Sequence, residues 1–298
     1  MEPLSTASIT VDEVHLQLLR QKNVTLSVLR LDKIHPIISG NKWFKLKYYL
    51  EQAVASGKSH IATFGGAYSN HIIATAAAGK LFGLKTMGII RGEKPTTLSH
   101  TLEQALAYGM EIIFISREQY RGQQMPVGIT DRDDFFLISE GGYGAMGAKG
   151  AGDILNYCQK QTYSHVASAV GTTTMMAGLV AASSPGQEVI GIPVLKNEGV
   201  GKHLFNLLSA EDKMKKITMI KTYHFGGYAK YTAELISFMN QFYTQSHIPT
   251  DFVYTAKLFY GVIDLVQNNY FPKGSNLLVV HSGGLQGNLS LPKGTLIF

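Results

Sequence analysis

A glycine followed by three threonines and a methionine, Gly171-Thr172-Thr173-Thr174-Met175, could hold an anion. The segment follows a β-rich run and precedes a helix-like one. Its N–H groups would therefore open a helix, where they have no intrahelical partner and attract negative charge. The threonine hydroxyls would add donors, although a single threonine at this place is more often only an N-cap. We predict a phosphate-binding cup formed by Gly171, Thr172, Thr173, Thr174 and Met175.

A lysine beside a second glycine could complete the chemistry. The segment Gly40-Asn41-Lys42 is typical of a loop, in which the glycine lets the backbone approach a ligand closely. Pyridoxal 5′-phosphate is a phosphorylated cofactor that is held by a Schiff base with a lysine amine. We predict that Lys42 is this lysine. Lys45 and Lys47 are the competing candidates, and a solvated surface charge is the ordinary alternative for each.

Motifs of other enzyme classes are incomplete or missing. Gly142-Tyr143-Gly144-Ala145-Met146-Gly147 matches the dinucleotide-binding pattern, but the next predicted strand ends at Gly171 without an acidic residue to bind a ribose. A dinucleotide-dependent oxidoreductase therefore remains only as an alternative. The sequence has no Walker phosphate loop, no G-x-S-x-G elbow and no H-E-x-x-H pair. NTPase, α/β-hydrolase and zinc-protease chemistry consequently lack their required residues.

The composition indicates a globular chain. Of its 298 residues, 45% are hydrophobic, and Cys158 is the single cysteine, which excludes an internal disulfide; we predict no metal site. The net charge of +6 suits anionic ligands, and no basic segment has the interleaved aromatics of a nucleic-acid-binding surface. No apolar run is long enough to span a membrane, and the N-terminus lacks a secretory pattern. We expect a cytoplasmic protein that binds a small molecule, and neither nucleic acid nor membrane.

Strands that alternate with helices must position these residues. β-Rich runs are predicted at 61–64, 86–90, 111–116, 134–139, 165–170, 189–195, 217–223 and 276–280. Helices are predicted at 69–82, 97–108, 146–161, from about 175, and at 202–208, 229–243 and 256–267. Such alternation predicts an α/β fold with parallel sheets covered by helices, and such sheets bind ligands beyond the carboxyl ends of their strands. The glycines cluster at those ends: Gly65-Gly66, Gly141-Gly142, Gly171 and Gly283-Gly284.

Together these segments resemble a known family. Gly40-Asn41-Lys42-x-x-Lys45-Leu46 is similar to the cofactor-lysine motif of 1-aminocyclopropane-1-carboxylate deaminases and D-cysteine desulfhydrases. These are pyridoxal phosphate enzymes of fold type II, the tryptophan-synthase-β-like class. The resemblance continues in the same order along the chain, through Ser69-Asn70-His71, Glu140-Gly141-Gly142, Gly171 to Gly178, Tyr254 and His281-x-Gly283-Gly284.

The resemblance implies roles for individual residues. Lys42 would hold the cofactor and later carry a proton, and Asn70 would bind the phenolic oxygen of the cofactor. Ser69 would touch the substrate carboxylate or assist proton transfer. Tyr254 would handle protons or the leaving group, and Tyr228 would be a second active-site tyrosine, with a buried structural ring as its alternative.

Two departures from the deaminase pattern favour the desulfhydrase side. The glutamate that follows the tyrosine in those deaminases is Thr255 here, and the leucine that follows the histidine is Ser282. Desulfhydrase-like members have small hydroxyl residues at both positions, so Thr255 and Ser282 are candidate cofactor contacts. We therefore expect conversion of D-cysteine to pyruvate, sulfide and ammonia. Deamination of 1-aminocyclopropane-1-carboxylate to 2-oxobutanoate is the alternative, and a catalytically inactive cofactor-binding protein is an alternative of another class.

The resemblance also implies the architecture. Two open, twisted, mostly parallel sheets would be flanked by helices. Residues 1–47 and 156–298 would form a large cofactor-binding domain, and residues 48–155 a small inserted α/β domain. The cofactor would lie in the cleft between the two, and the protein would be a homodimer.

Overall fold

Strands and helices alternate through residues 4–129, 132–196 and 199–298, which the computed structural model describes. The strands in this part of the chain are β1 (Val11–Glu13), β2 (Thr25–Arg30), β3 (His60–Gly65), β4 (Lys85–Arg91), β5 (Glu111–Ile115), β6 (Phe135–Ile138), β7 (His165–Val170), β8 (Glu188–Pro193), β9 (Lys216–Met219) and β10 (Asn276–His281). The helices are α1 (Gln17–Lys22), α2 (Asn41–Ala55), α3 (Asn70–Phe82), α4 (His100–Ala107), α5 (Arg117–Arg121), α6 (Ala145–Gly152), α7 (Thr174–Ala182), α8 (Val200–Phe205), α9 (Ala233–Ser246) and α10 (Thr255–Gln267).

The described strands form two sheets. The larger sheet has the order β1-β2-β10-β7-β8-β9, and only β1 runs antiparallel to its neighbour. The smaller sheet has the order β5-β4-β3-β6 and is parallel throughout. Strands β7 and β8 are buried along their whole length, as expected for parallel strands covered on both faces. The predicted fold class is confirmed.

Several elements differ from the sequence-based expectation. Lys42 was expected in a loop but lies in the first turn of α2, and β1, α1, β2 and α5 were not predicted. The helix predicted at 146–161 ends at Gly152 and continues as short 3-10 turns. The strand predicted at 217–223 ends at Met219, and the 3-10 turn Lys221–Tyr223 follows it.

Glycines let three helices pack almost backbone to backbone between the sheets. A Cβ on Gly150 of α6 would lie 1.9 Å from the carbonyl oxygen of Phe44 in α2. A Cβ on Gly178 of α7 would lie 2.3 Å from the carbonyl oxygen of Ala148. The glycine-rich segment 144–152 is therefore a packing surface, and this explains why it tolerates residues that are poor helix formers.

The hydrophobic core is continuous across both sheets. Its largest cluster joins Leu29 and Val166 of the larger sheet to Ile61 and Ile138 of the smaller one, with Phe44 of α2 among them. All strands of the smaller sheet come from the segment predicted as an inserted domain, but the division into 1–47 plus 156–298 and 48–155 stays a prediction. Within the described residues, no helix is long and apolar enough to cross a membrane.

Candidate active site

A cavity of about 410 Å³ lies at the carboxyl ends of strands from both sheets. Loops after β3, β7 and β10 and the first turns of α2 and α3 form its wall. Most residues singled out in the sequence line it: Lys42, Ser69, Asn70, Gly171, Thr172, Thr173, Met175, Tyr228, Tyr254 and Ser282. The structure thus brings together segments far apart in the chain, although the role of each residue remains a prediction.

The first turn of α2 carries the lysine. The N–H of Asn41 donates to Ser282 O at 3.1 Å, which docks the helix start on the loop after β10. Lys42 Nζ donates to Asn41 Oδ1 at 2.9 Å. Burial lowers the pKa of Lys42 to about 8, against a partial opposing effect of Asp251. A buried amine with this pKa is much more often neutral near physiological pH than an ordinary lysine, and the neutral form is the nucleophile.

Of the other two lysine candidates, Lys45 lines the cavity and Lys47 does not. Lys47 Nζ lies 2.5 Å from the carboxylate of Asp153 and does not line the cavity. Lys45 is only 3% exposed, lines the cavity and donates to Thr172 Oγ1 at 3.1 Å. Burial, reinforced by the charge of Lys42, holds the pKa of Lys45 well below its usual range. An anion at this place would relieve both effects.

The start of α7 is the segment predicted to bind a phosphate. Thr173 has the left-handed φ of 62°, and the first helical bond runs from Ala177 N–H to Thr173 O at 2.9 Å. The N–H groups of Met175 and Met176 therefore precede the intrahelical ladder. Thr174 was predicted as a cofactor contact, but its N–H donates to Thr172 O at 2.8 Å and its side chain is fully buried, off the cavity wall.

This donor set fits a phosphate. Free N–H groups at a helix start, the hydroxyl of Thr172 and the ammonium of Lys45 meet at one end of the cavity that Lys42 also lines. Helix starts and buried cations both favour negative charge, and Lys45 supplies the countercharge that the sequence analysis did not assign. These residues suit pyridoxal phosphate: the donors at this end would hold its phosphate, and Lys42 would supply the amine for its aldehyde.

The start of α3 lies on the opposite wall. Ser69 Oγ accepts the N–H of His71 at 3.2 Å and so caps the helix, in addition to lining the cavity. Asn70 also lines the cavity. A Cβ on Gly284 would lie 3.0 Å from the Asn70 amide nitrogen, so only glycine leaves that amide its room.

His71 presents a buried acceptor to the site. Its Nε2 lies 2.9 Å from Thr63 Oγ1, whose single proton goes to Ile138 O at 2.7 Å. Nε2 must therefore carry the ring proton, and Nδ1 is left buried with no partner among the described residues. Burial, together with Lys45 and Lys42, holds the pKa of His71 well below its usual range, so the ring is neutral.

Thr255 turns away from the cavity. Its hydroxyl donates to Asp251 Oδ1 at 2.7 Å and it is fully buried outside the cavity wall, while its contact with the cofactor stays a prediction. Asp251 also accepts the N–H groups of Val253, Tyr254 and Thr255, each at 2.9 Å. This carboxylate binds the N–H groups at the start of α10 and was missed in the sequence, because Asp251 lies four residues before the first helical residue rather than at the N-cap position.

Two tyrosines close the mouth of the cavity. The rings of Tyr228 and Tyr254 meet edge to face, with their centroids 6.0 Å apart. Lys42 Nζ lies 5.9 Å from the centroid of Tyr254. Burial raises the pKa of Tyr254 well above its ordinary value, so its hydroxyl is protonated and can donate. Ser282 reaches the cavity as expected, next to Gly283.

Comparisons with known proteins agree with this geometry. The family described as "Pyridoxal-phosphate dependent enzyme" matches residues 14–283. A Pyrococcus abyssi protein named "Putative 1-aminocyclopropane-1-carboxylate deaminase" is 28% identical over 90% of this chain and 87% of its own. A Serratia proteamaculans protein named "D-cysteine desulfhydrase" is 25% identical over 86% of each chain.

A solved structure supports the same assignment. The structure titled "Crystal Structure Analysis of the ACC deaminase homologue" superposes with a TM-score of 0.82 at 25% identity, over 96% of this chain and 92% of that one. The family match covers the smaller sheet, all strands of the larger sheet except β1, and the lining of the cavity except Gly284 and Gln286. The chain therefore belongs to the family of pyridoxal-phosphate dependent enzymes, and pyridoxal phosphate is its cofactor.

Proposed function

We propose that the enzyme catalyses α,β-elimination from a small amino acid, with D-cysteine and water giving pyruvate, hydrogen sulfide and ammonia. The observation that supports this most directly is the hydroxyl of Ser282 beside the Gly283-Gly284 end of the cavity. Among the described residues, Glu140 is the one acidic side chain in the wall, and it lies in the loop after β6 rather than beside Ser282.

Whether a hydroxyl or a carboxylate lies beside the ring nitrogen of the cofactor affects how strongly the cofactor withdraws electrons. When bound, pyridoxal phosphate withdraws electrons from the α-carbon of the amino acid that it carries. A carboxylate beside the ring nitrogen would strengthen this electron withdrawal. A hydroxyl such as that of Ser282 would strengthen it less than a carboxylate. Loss of an α-proton together with a good leaving group such as thiolate needs less assistance than opening a cyclopropane ring that has no α-hydrogen. The site thus favours elimination.

The chain supplies the remaining parts of the reaction. Lys42, with its lowered pKa, can take the α-proton at Nζ once the substrate has replaced it on the cofactor. Tyr254 keeps its proton and can give it to the departing sulfur. Ser69 and the N–H groups at the start of α3 can hold the substrate carboxylate, because a helix start favours an anion.

The relatives keep a second reaction open. Several similar proteins bear names of 1-aminocyclopropane-1-carboxylate deaminases, and the desulfhydrases are similar over nearly the same span. The alternative function is therefore deamination of 1-aminocyclopropane-1-carboxylate to 2-oxobutanoate. Its support is this similarity rather than a feature of the cavity.

Product analysis distinguishes the two. The cofactor-loaded protein is mixed separately with D-cysteine, L-cysteine and 1-aminocyclopropane-1-carboxylate, and sulfide and keto acid are measured. We expect sulfide and pyruvate in equal amounts from D-cysteine. Formation of 2-oxobutanoate from the cyclopropane substrate, with no sulfide from either cysteine, would overturn the proposal. Lys42→Ala should abolish turnover, whereas Lys47→Ala, which removes a lysine of the same helix outside the cavity, should retain it.

A further inference from the structure

A second cavity of about 480 Å³ adjoins the cofactor cavity and is rich in arginine. Arg91 ends β4, and Arg117 and Arg121 lie at the two ends of α5. All three line this cavity, and Glu140 is the acidic residue among the described residues of its wall. The wall therefore has an excess of positive charge.

The three guanidinium groups have no carboxylate partner in the described parts of the chain. Arg30 and Arg132, by contrast, each hold an aspartate with two nitrogens, Asp32 and Asp134 respectively. Guanidinium groups are strong, planar donors that match the paired oxygens of carboxylate, phosphate and sulfonate groups. Three of them around one concave space indicate an anionic ligand.

Helix α5, which carries Arg117 and Arg121, is fixed by its N-terminal cap and by packing on β3. Ser116 and Gln119 form a reciprocal capping box at the start of α5. Tyr120 of the same helix is 8% exposed and packs edge to face on Phe64 of β3, with ring centroids 5.7 Å apart. The guanidinium of Arg91 lies 5.5 Å from the ring centroid of Tyr120. Although α5 is short, its position against the smaller sheet is well defined.

The second cavity opens toward the reaction site. Arg91 and Glu140 line both cavities, and a Cβ on Gly66 would lie 3.8 Å from the Arg91 guanidinium. Gly66 directly precedes the loop that carries Ser69 and Asn70. A ligand held at the cofactor through its amino group could therefore extend past Arg91.

We propose that Arg91, Arg117 and Arg121 form a subsite for the far end of the substrate, so that preferred substrates are small amino acids with a second acidic group. This inference rests on the proposed function and adds amino acids with a second acidic group to its substrates. The α-carboxylate would remain at Ser69 and the start of α3, and the carboxylate, phosphate or sulfonate of the side chain would lie among the arginines. D-Cysteine would then be accepted without using this subsite.

Serine and phosphoserine provide a matched pair of probes, because they differ only by the phosphate. Each enantiomer is titrated into the cofactor-loaded protein at low ionic strength, and the dissociation constant is read from the near-visible absorbance of the cofactor. We expect phosphoserine of one chirality to bind at least tenfold more tightly than the corresponding serine. In the R117Q/R121Q variant that ratio should fall toward one. The R20Q/K22Q variant, which loses the same charge from α1, should keep the ratio of the unmodified protein.

Two results would overturn the inference: equal affinity for serine and phosphoserine, or a preference that survives in R117Q/R121Q. A third arm titrates inorganic phosphate in the presence of phosphoserine. Competition is expected; phosphate that binds through Arg117 and Arg121 without competing would identify a site for a free anion instead. The D-cysteine assay runs alongside, so a protein that discriminates phosphoserine from serine but yields no sulfide contradicts the proposed elimination from D-cysteine alone.

Discussion

Lys42 is the residue whose surroundings most directly set its reactivity. It lies in the first turn of α2, where the helix dipole disfavours a cation, and its ammonium donates a hydrogen bond to Asn41 Oδ1. Burial lowers its pKa to about 8. Because only the neutral amine attacks a carbonyl, attachment of the cofactor should follow this pKa.

The rate of cofactor attachment to the cofactor-free protein should rise with pH and level off above about 8. Stopped-flow absorbance in the near-visible range measures it between pH 6.5 and 9.5. A rate that keeps rising to the top of this range, as for an unperturbed lysine of pKa about 10.4, would contradict the assignment. Lys42→Ala should show no such absorbance change, whereas Lys47→Ala should behave as the unmodified protein does.

The junction between α2 and the loop after β10 depends on glycine. Gly40 has a φ of 61°, and a Cβ there would lie 1.9 Å from the carbonyl oxygen of Ser282. Gly57 has a similar φ of 67° with nothing within 4 Å of its Cβ position. The two residues therefore share a positive φ and differ in steric contact.

Gly40→Ala should lower the free energy of unfolding by about 1–3 kcal/mol more than Gly57→Ala, because only the former adds overpacking to backbone strain. Urea unfolding measures both. Gly40→Ala should also weaken cofactor binding, since the displaced helix start carries Asn41 and Lys42. Equal destabilisation by the two substitutions would contradict this prediction, because it would mean that the loop after β10 moves away from the new Cβ without loss of stability.

Helix α10 positions a tyrosine that it does not contain. Lys257 is fully buried and donates to the carbonyl oxygens of His224 and Gly227, at 2.9 and 2.7 Å. These carbonyls belong to the loop that presents Tyr228 to the cavity. Lys257 is therefore a positioning residue, and burial lowers its pKa to about 8.

Lys257→Met should destabilise the protein by about 2 kcal/mol, because two buried carbonyls lose their donor. It should also lower kcat through the displaced Tyr228. In a Tyr228→Phe background the same change should have little further effect on kcat, while its effect on stability persists. Additive losses of kcat in the double variant would separate Lys257 from Tyr228.

Most strands and helices after residue 60 were predictable because each apolar run ends at a glycine or polar turn, although α5 was missed and the elements predicted at 146–161 and 217–223 end earlier. Helix α2 was not, since Gly40-Asn41-Lys42 has the composition of a loop. Its helical state comes from burial of Trp43, Phe44 and Leu46. The sequence predicted that Lys42 and the glycine-threonine segment after β7 lie at one site, and both line the cavity. The orientation of Thr255 could not be predicted, because the Thr255 hydroxyl is held by Asp251, whose contact with the start of α10 forms only when the chain folds.

At the scale of the whole molecule, the fold buries the amines of Lys42, Lys45 and Lys257 without a carboxylate partner among the described residues. Burial lowers the pKa values of Lys42 and Lys257 to about 8, and it holds the pKa of Lys45 well below its usual range. Between about pH 8 and pH 10 the unfolded chain consequently binds more protons than the folded one. Wherever this holds, stability rises with pH.

The cofactor-free protein should therefore become more stable as the pH rises from 8 toward 9.5, where many proteins already lose stability. Above pH 10 the trend should reverse, because Tyr223 and Tyr260, with pKa values raised to about 12, bind protons that the unfolded chain releases. Urea unfolding at pH 7.5, 8.5 and 9.5 tests the rise.

The Lys42→Ala variant should show a shallower increase of stability with pH, because one of the three buried amines is gone. The cofactor-loaded protein should also show a shallower increase, because its phosphate compensates Lys45 and its carbonyl carbon occupies Lys42. A stability that falls steadily from pH 7.5, with the same slope in the loaded and cofactor-free proteins, would mean that these lysines are solvated and that the site is not charged in the way its geometry indicates.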